Sequence, residues 1–202
     1  MYYSTGIFLF LYIFLVYLKN LAPTVVLHDS GDMISSAWVL GIPHPPGYPL
    51  YCLIARVMSI FLPISNIAFR VNLISGLSAA LCCFFLYLIV VRLFEDYIPK
   101  LGIFLGIISA SSLGFSKTFF LQATIAEKYT LNALFLSVLL YILILWYKNL
   151  TGTSYKLQAL FFFLLGLSFT HHLQTLFIIP TFILFLILLY INKLKSNTWV
   201  KG

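Results

Sequence analysis

The sequence predicts an all-α fold, a polytopic transmembrane helical bundle of about six spans with a long first non-cytoplasmic loop. Three observations predict it. Of 202 residues, 62% are hydrophobic and only 8% are charged, whereas soluble domains carry roughly a quarter charged residues. Mean hydropathy is +1.04. The apolar residues gather into long runs closed by short polar turns, with no barrel-type alternation. In this setting the net charge of +7 reads as Lys and Arg anchoring span ends, not as nucleic-acid binding.

The first span is Tyr2 to Leu18, uncharged and stopped by Lys19. It lacks a basic leader and a small-x-small cleavage site, so it reads as retained. Residues 19–70 form the long loop. Within it, Ser30 to Leu40 reads as a short helix, with Ser30 as its cap and an acid in its first turn. Gly41 and the following prolines end it. Tyr51 to Leu62, interrupted by Arg56, is too short to span and reads as interfacial.

Val71 to Val91 is the second span, followed by a charged turn with Arg92, Glu95, Asp96 and Lys100. Leu101 to Ser116 is the third, with Gly102 and Gly106 at the GxxxG spacing that permits close helix approach. Lys117 to Lys128 reads as a polar interruption. Tyr129 to Tyr147 is the fourth span, and Lys148 to Lys156 a short turn. Leu157 to Thr170 is the fifth, ending at His171 and His172. Leu173 to Ile191, containing Pro180, is the sixth, and Lys193, Lys195 and Lys201 follow it. The whole chain reads as one transmembrane domain and as the N-terminal part of a longer protein. Cys52, Cys82 and Cys83 form no disulfide framework or CxxC pattern and read as small core residues.

With the N-terminus in the cytoplasm, seven basic residues fall in cytoplasmic turns and five on the opposite face, the sign expected for cytoplasmic loops. This topology puts His28, His44, His171, His172, Asp29, Asp32 and Glu127 on the non-cytoplasmic face. Glu95 and Asp96 stay on the other, beside basic partners.

Much of this chemistry sits in one stretch, LHDSGDMISSAWVLGIPHPPGYPLY, from Leu27 to Tyr51. Asp29 and Asp32 are three residues apart, so a helix turns both to one side. A carboxylate there can accept a hydroxyl proton, and two close carboxylates push their pKa values apart. The same pair also serves as an ordinary acidic helix start. The HPPGYP turn is stiff, because prolines fix φ and Gly47 allows a bend. It either reverses the chain or fixes His44 beside the acids. Arg56 and Arg70 suit a phosphate or a lipid headgroup. Glu127 at a span mouth needs a partner, and Lys128 screens it. His171 and His172 with the acids bring a metal to mind, but no HxxxH or HExxH spacing supports a dedicated site. No cofactor is predicted, and a divalent metal stays open.

Together these residues carry a resemblance. The stretch with Asp29, Gly31, Asp32, Leu40, Gly41, His44, Pro45, Pro46, Gly47, Pro49 and Leu50 resembles the first-loop signature of the GT-C-type protein O-mannosyltransferases that act on IPT domains of plexins and related receptors, and of their bacterial relatives. Arg70 to Ser75, Phe115 to Ala123, Ala126 to Asn132, and Gly166 to His172 resemble its later elements. Asp32 stands where that family usually has Glu, and Phe120 where it has Trp. The resemblance implies transfer of a sugar, with mannose the first expectation, from a polyprenyl (dolichyl) phosphate to Ser or Thr hydroxyls of a protein. It implies a first-loop carboxylate as general base. Asp29 is expected in that role, with Asp32 orienting the acceptor or sharing it, and His44, Arg70, Glu127 and His172 in support. The implied partners are a lipid-linked donor, a protein acceptor and membrane lipid. The implied membrane is the endoplasmic reticulum in a eukaryote or the inner membrane in a bacterium. A transporter that uses the same polar residues, or a non-catalytic scaffold, is the alternative. A transporter is expected to carry its acids at span midpoints.

Overall fold

Helix α4, Ile67–Phe94, is the element against which most others pack. The structure, a computed structural model, describes residues 2–148 and 155–199, without the side chains of 189 and 192–199. Among these residues there are helices and connections and no strand. Before α4 come α1 (Tyr2–Asn20), α2 (Ser30–Val39) and α3 (Pro49–Phe61). After it come α5 (Pro99–Gly114), α6 (Lys117–Ala123), α7 (Tyr129–Lys148), α8 (Tyr155–Phe169), a 3-10 turn (Leu173–Phe177) and α9 (Ile178–Trp199).

The all-α membrane bundle stands, and its span count is smaller by length. Three helices are long and apolar enough to cross a bilayer: α1, α4 and α7. A fourth crossing arises if α5 and α6 act as one span bent by 69°. The apolar helices α3, α8 and the stretch Leu173–Leu188 are shorter. The turn at 149–154 and Lys201 lie outside the described residues, as do the side chains of Lys193 and Lys195.

Hydrocarbon is as apolar as leucine, so spans associate through close packing and internal hydrogen bonds. α4 is built for that, burying Ser75, Gly76, Ser78, Ala79, Ala80, Cys82 and Cys83. Asn66 caps it by accepting from the Phe69 N–H at 2.9 Å. α1 runs antiparallel to it: Asn72 near the start of α4 donates to the Ala22 carbonyl (2.8 Å), and Tyr87 near its end donates to the Tyr2 carbonyl (2.8 Å). α5 meets α4 through Gly102 and Gly106, where a Cβ would meet Phe94 at 2.8 Å and the Tyr87 ring at 2.9 Å. Tyr17 of α1 closes this group by donating to the Gly114 carbonyl at 2.7 Å.

Three local expectations are corrected. Ser30 is the first residue of α2 and Asp29 holds the cap position, with no side-chain cap bond. Leu40, not Gly41, takes the left-handed conformation that ends α2 (φ 52°), while the Gly41 N–H returns to the Ser36 carbonyl at 2.8 Å. The interruption from Lys117 to Lys128 contains α6, packed so closely that a Cβ on Gly76 would lie 3.3 Å from the Ala123 carbonyl. Pro180 is accommodated in a helix, as expected. It sits in the first turn of α9, where its missing N–H has no intrahelical role.

The two ends of the bundle differ. At one end Arg92 pairs with Glu95 (2.8 Å) and reaches the Tyr3 hydroxyl (3.0 Å), and Lys148 pairs with Glu95 (2.9 Å) and Asp96 (2.5 Å). At the other end α2 and α3 lie over α4 and α7. Met33, Ala37, Tyr51, Ala55, Val71 and Ala126, all fully buried, fasten them there.

Candidate active site

The acid end is assembled from three separated connections. α2 presents Asp32 from its first turn and Asp29 from the residue before it. The connection from α2 to α3 brings His44. Its backbone N–H and its ring Nδ1–H both donate to Asp32 Oδ2, at 2.9 and 2.7 Å. Those bonds, with a weaker one from Ser36 (3.3 Å), hold the Asp32 carboxyl below the usual carboxylate range. The other ring nitrogen, Nε2, stands 3.5 Å from Asp29 Oδ2 and 3.4 Å from the Tyr48 hydroxyl. One imidazole therefore sits between the two acids. The turn that carries it has a cis peptide at Pro45–Pro46 and positive φ at Gly47 (97°) and Tyr48 (42°).

The third connection, between α6 and α7, supplies a cation. Lys128 Nζ donates to Asp29 Oδ2, approaches His44 Nε2 at 3.3 Å and lies 3.5 Å from Glu127 Oε2. Its side chain is 3% exposed and that of Glu127 2%, whereas Asp29 is 43% exposed. One buried ammonium is thus shared by a buried carboxylate and an open one. The rings of Tyr48 and Tyr129 face it at 5.4 and 4.9 Å. The Lys128 hydrogen bond and its charge hold Asp29 below the usual carboxylate range, against the opposing effect of burial. Burial disfavours the ammonium, but the bond to Asp29 and the charge of Glu127 outweigh it and raise its pKa. Glu127 is fixed through its backbone, whose N–H and carbonyl exchange bonds with the Ser75 hydroxyl at 3.1 and 3.2 Å.

His171 and His172 close the site from beneath. His171 is buried against the Tyr51 ring, and its Nε2–H donates to the Lys128 carbonyl at 3.0 Å. Burial pushes its pKa down to about 4. His172 accepts from the Gln174 N–H at 3.1 Å and contacts the rings of Tyr48 and Tyr129. Burial and the nearby Lys128 charge lower its pKa. The Leu50 N–H donates to the Thr170 carbonyl at 3.2 Å, tying the start of α3 to this histidine connection.

The structure brings Asp29, Asp32, His44, Glu127 and His172 to this end. Arg70 stands apart from their contacts. Its guanidinium donates to the carbonyls of Ile64 (2.7 Å), Ser59 (2.8 Å) and Ser65 (2.9 Å), clamping the connection from α3 to α4. Arg56 lies over the Trp38 ring at 4.3 Å and donates to the Trp38 carbonyl. Among the described residues no group of three or more His, Cys, Asp or Glu is arranged to hold a metal. Two participants were not assigned a site role from sequence. Lys128 was read as a screen for Glu127, and the link to Asp29 crosses 99 residues. Tyr48 carried no signal beyond its place in the HPPGYP turn.

The family model of the protein O-mannosyl-transferase TMEM260 N-terminal domain matches residues 29–198. A mouse (Mus musculus) protein O-mannosyl-transferase TMEM260 is 37% identical over 112 residues, covering 55% of this chain and 15% of the relative. The Dictyostelium discoideum protein O-mannosyl-transferase tmem260 is 25% identical over 145 residues, covering 71% of this chain and 17% of the relative. The chain thus spans under a fifth of the length of these curated relatives. No solved structure matches it significantly.

Proposed function

The chain belongs to the family of the protein O-mannosyl-transferase TMEM260 N-terminal domain, and from that membership we propose that it carries the base-bearing end of a membrane glycosyltransferase. The reaction is transfer of mannose from a polyprenyl (dolichyl) phosphate to Ser or Thr hydroxyls of a protein. Asp29 is the general base. It takes the hydroxyl proton as the oxygen attacks the anomeric carbon with inversion. The bond from that carbon to the phosphate oxygen breaks, and the phosphate leaves with the electron pair. The observation that carries the reading is the contrast within one cluster: Asp29 is open at the bundle end, while Lys128 and Glu127 beside it are buried.

The remaining residues take roles that fit their contacts. Asp32 and His44 form a rigid pair beside the base, and Asp32 orients the acceptor through it. Glu127 anchors Lys128, and His172 shapes the rim with Tyr48 and Tyr129. Arg70 supports the site indirectly by holding the connection that ends α3. The site lies on the non-cytoplasmic face of the endoplasmic reticulum or of a bacterial inner membrane, with its base in the first loop at 19–70.

The test is Asp29→Asn in the full chain, assayed with polyprenyl-phosphate mannose and a Ser/Thr-containing acceptor. Removing a general base is expected to lower transfer by about 100-fold or more, with unchanged membrane insertion. Normal transfer by that variant rejects Asp29 as the base. Asp29-dependent uptake of a labelled solute in proteoliposomes favours a transporter instead.

A further inference from the structure

We infer that Lys128, carried by buried Glu127, is a positioning residue that fixes the Asp29 carboxylate and keeps it ionised until an acceptor displaces the ammonium. The inference rests on the reading of Asp29 as base. The geometry is asymmetric. Lys128 is 3% exposed and reaches the surface of the site only through its Nζ contacts with Asp29 and His44. Burying an ammonium is costly unless a carboxylate accompanies it, and Glu127, 2% exposed and 3.5 Å away, is that companion. Glu127 is in turn fixed to α4 through Ser75. The chain of support therefore runs from the central helix, through Glu127 and Lys128, to the open acid.

Among the described residues, charged or titratable groups face this pair from several elements, and His171 donates to the Lys128 carbonyl. From α2 comes Asp32, whose like charge disfavours ionisation of Asp29. From the α2–α3 connection come His44 and Tyr48. From the start of α7 comes Tyr129, and from the connection after α8 comes His172. His44 binds Asp32 through Nδ1 and keeps Nε2 3.5 Å from Asp29, so Lys128 is the nearest cation to Asp29 among the described residues. The ammonium holds the base in a single orientation and suppresses its protonation. An incoming hydroxyl then replaces Nζ as hydrogen-bond partner, and Glu127 retains the released ammonium inside the protein.

The test separates this role from the identity of the base. Carbodiimide modification of Asp29, read by peptide mass across pH 3–7, follows protonation of that carboxyl whether or not it is catalytic. Lys128→Gln alone leaves Glu127 as an unpaired buried charge, so the paired variant Glu127→Gln with Lys128→Gln, which is neutral and close in shape, is used beside it. In the paired variant the modification rate near pH 5.5 rises several-fold, because loss of the ammonium moves the Asp29 midpoint up. Glu127→Gln alone and Lys128→Arg keep a cation and leave the midpoint low. An unmoved midpoint in the paired variant overturns the inference. The acid limb of kcat/KM for transfer from polyprenyl-phosphate mannose moves with the midpoint. A shifted midpoint with an unmoved limb overturns instead the assignment of Asp29 as base.

Discussion

His171 shows how a single residue ties the site to the stability of the bundle. Its imidazole is held neutral by burial, with a folded pKa of about 4 against an ordinary value of 6.5. As pH falls, the unfolded chain therefore takes up the proton before the folded one. The stabilisation is fully present above pH 6.5 and is lost as pH falls from there towards 4. By pH 5 the loss is on the order of 2 kcal/mol, and His172, displaced in the same direction, adds to it. Thermal unfolding in detergent is expected at a distinctly lower temperature at pH 5 than at pH 7.5, with His171→Gln flattening the difference. An identical pH profile in that variant rules out His171 as the source. At this scale the sequence displayed Asp29, Asp32 and His44 because they lie within one short stretch, where spacing and a stiff turn carry spatial information. Lys128 was visible as a residue but not as a partner of Asp29, because only folding brings positions 99 residues apart together.

Among the elements, α5 gives the sharpest prediction. The GxxxG spacing of Gly102 and Gly106 was legible, but spacing does not say which helix approaches or how closely. Against α4, a Cβ on Gly106 would meet the Tyr87 ring at 2.9 Å and the Tyr87 carbonyl at 3.1 Å. A carbonyl of the central helix cannot move aside cheaply. Gly106→Ala is expected to destabilise the bundle by about 1–3 kcal/mol. Gly166 of α8 has open space around its Cβ position, so Gly166→Ala is expected to be neutral or to stabilise by up to about 1 kcal/mol through helix propensity. Equal thermal stabilities for the two variants would contradict this packing. Other element features were hidden for related reasons. The bend between α5 and α6, and the end of α2 at Leu40 rather than Gly41, are set by what each segment packs against. Arg70 is the same lesson in a side chain: a guanidinium suited to phosphate serves backbone carbonyls because the connection at 59–65 folds around it.

For the whole molecule, the consequence is polarity along the bundle axis. Asp29, Asp32, His44, Glu127 and His172 share one end, and Arg92, Glu95, Asp96 and Lys148 tie the other with ion pairs. The native cysteines are buried, so single reporters at exposed positions read the two faces. Leu27→Cys and Tyr97→Cys, both at sites 83% exposed, are expected to react with a membrane-impermeant maleimide from opposite sides of sealed vesicles. Reaction from one side would contradict an axis that crosses the bilayer. The sequence by itself determined the membrane class, the helical content and the acid-rich first stretch, because hydropathy and local spacing are properties of contiguous residues. It did not determine how many helices are long enough to cross, since bends and short helices depend on neighbours. Only the tertiary structure decided that one buried ammonium, fixed from the central helix through Glu127, stands behind the open carboxylate of Asp29. Charges buried in apolar surroundings must find partners, and those partners come from wherever in the chain packing brings them.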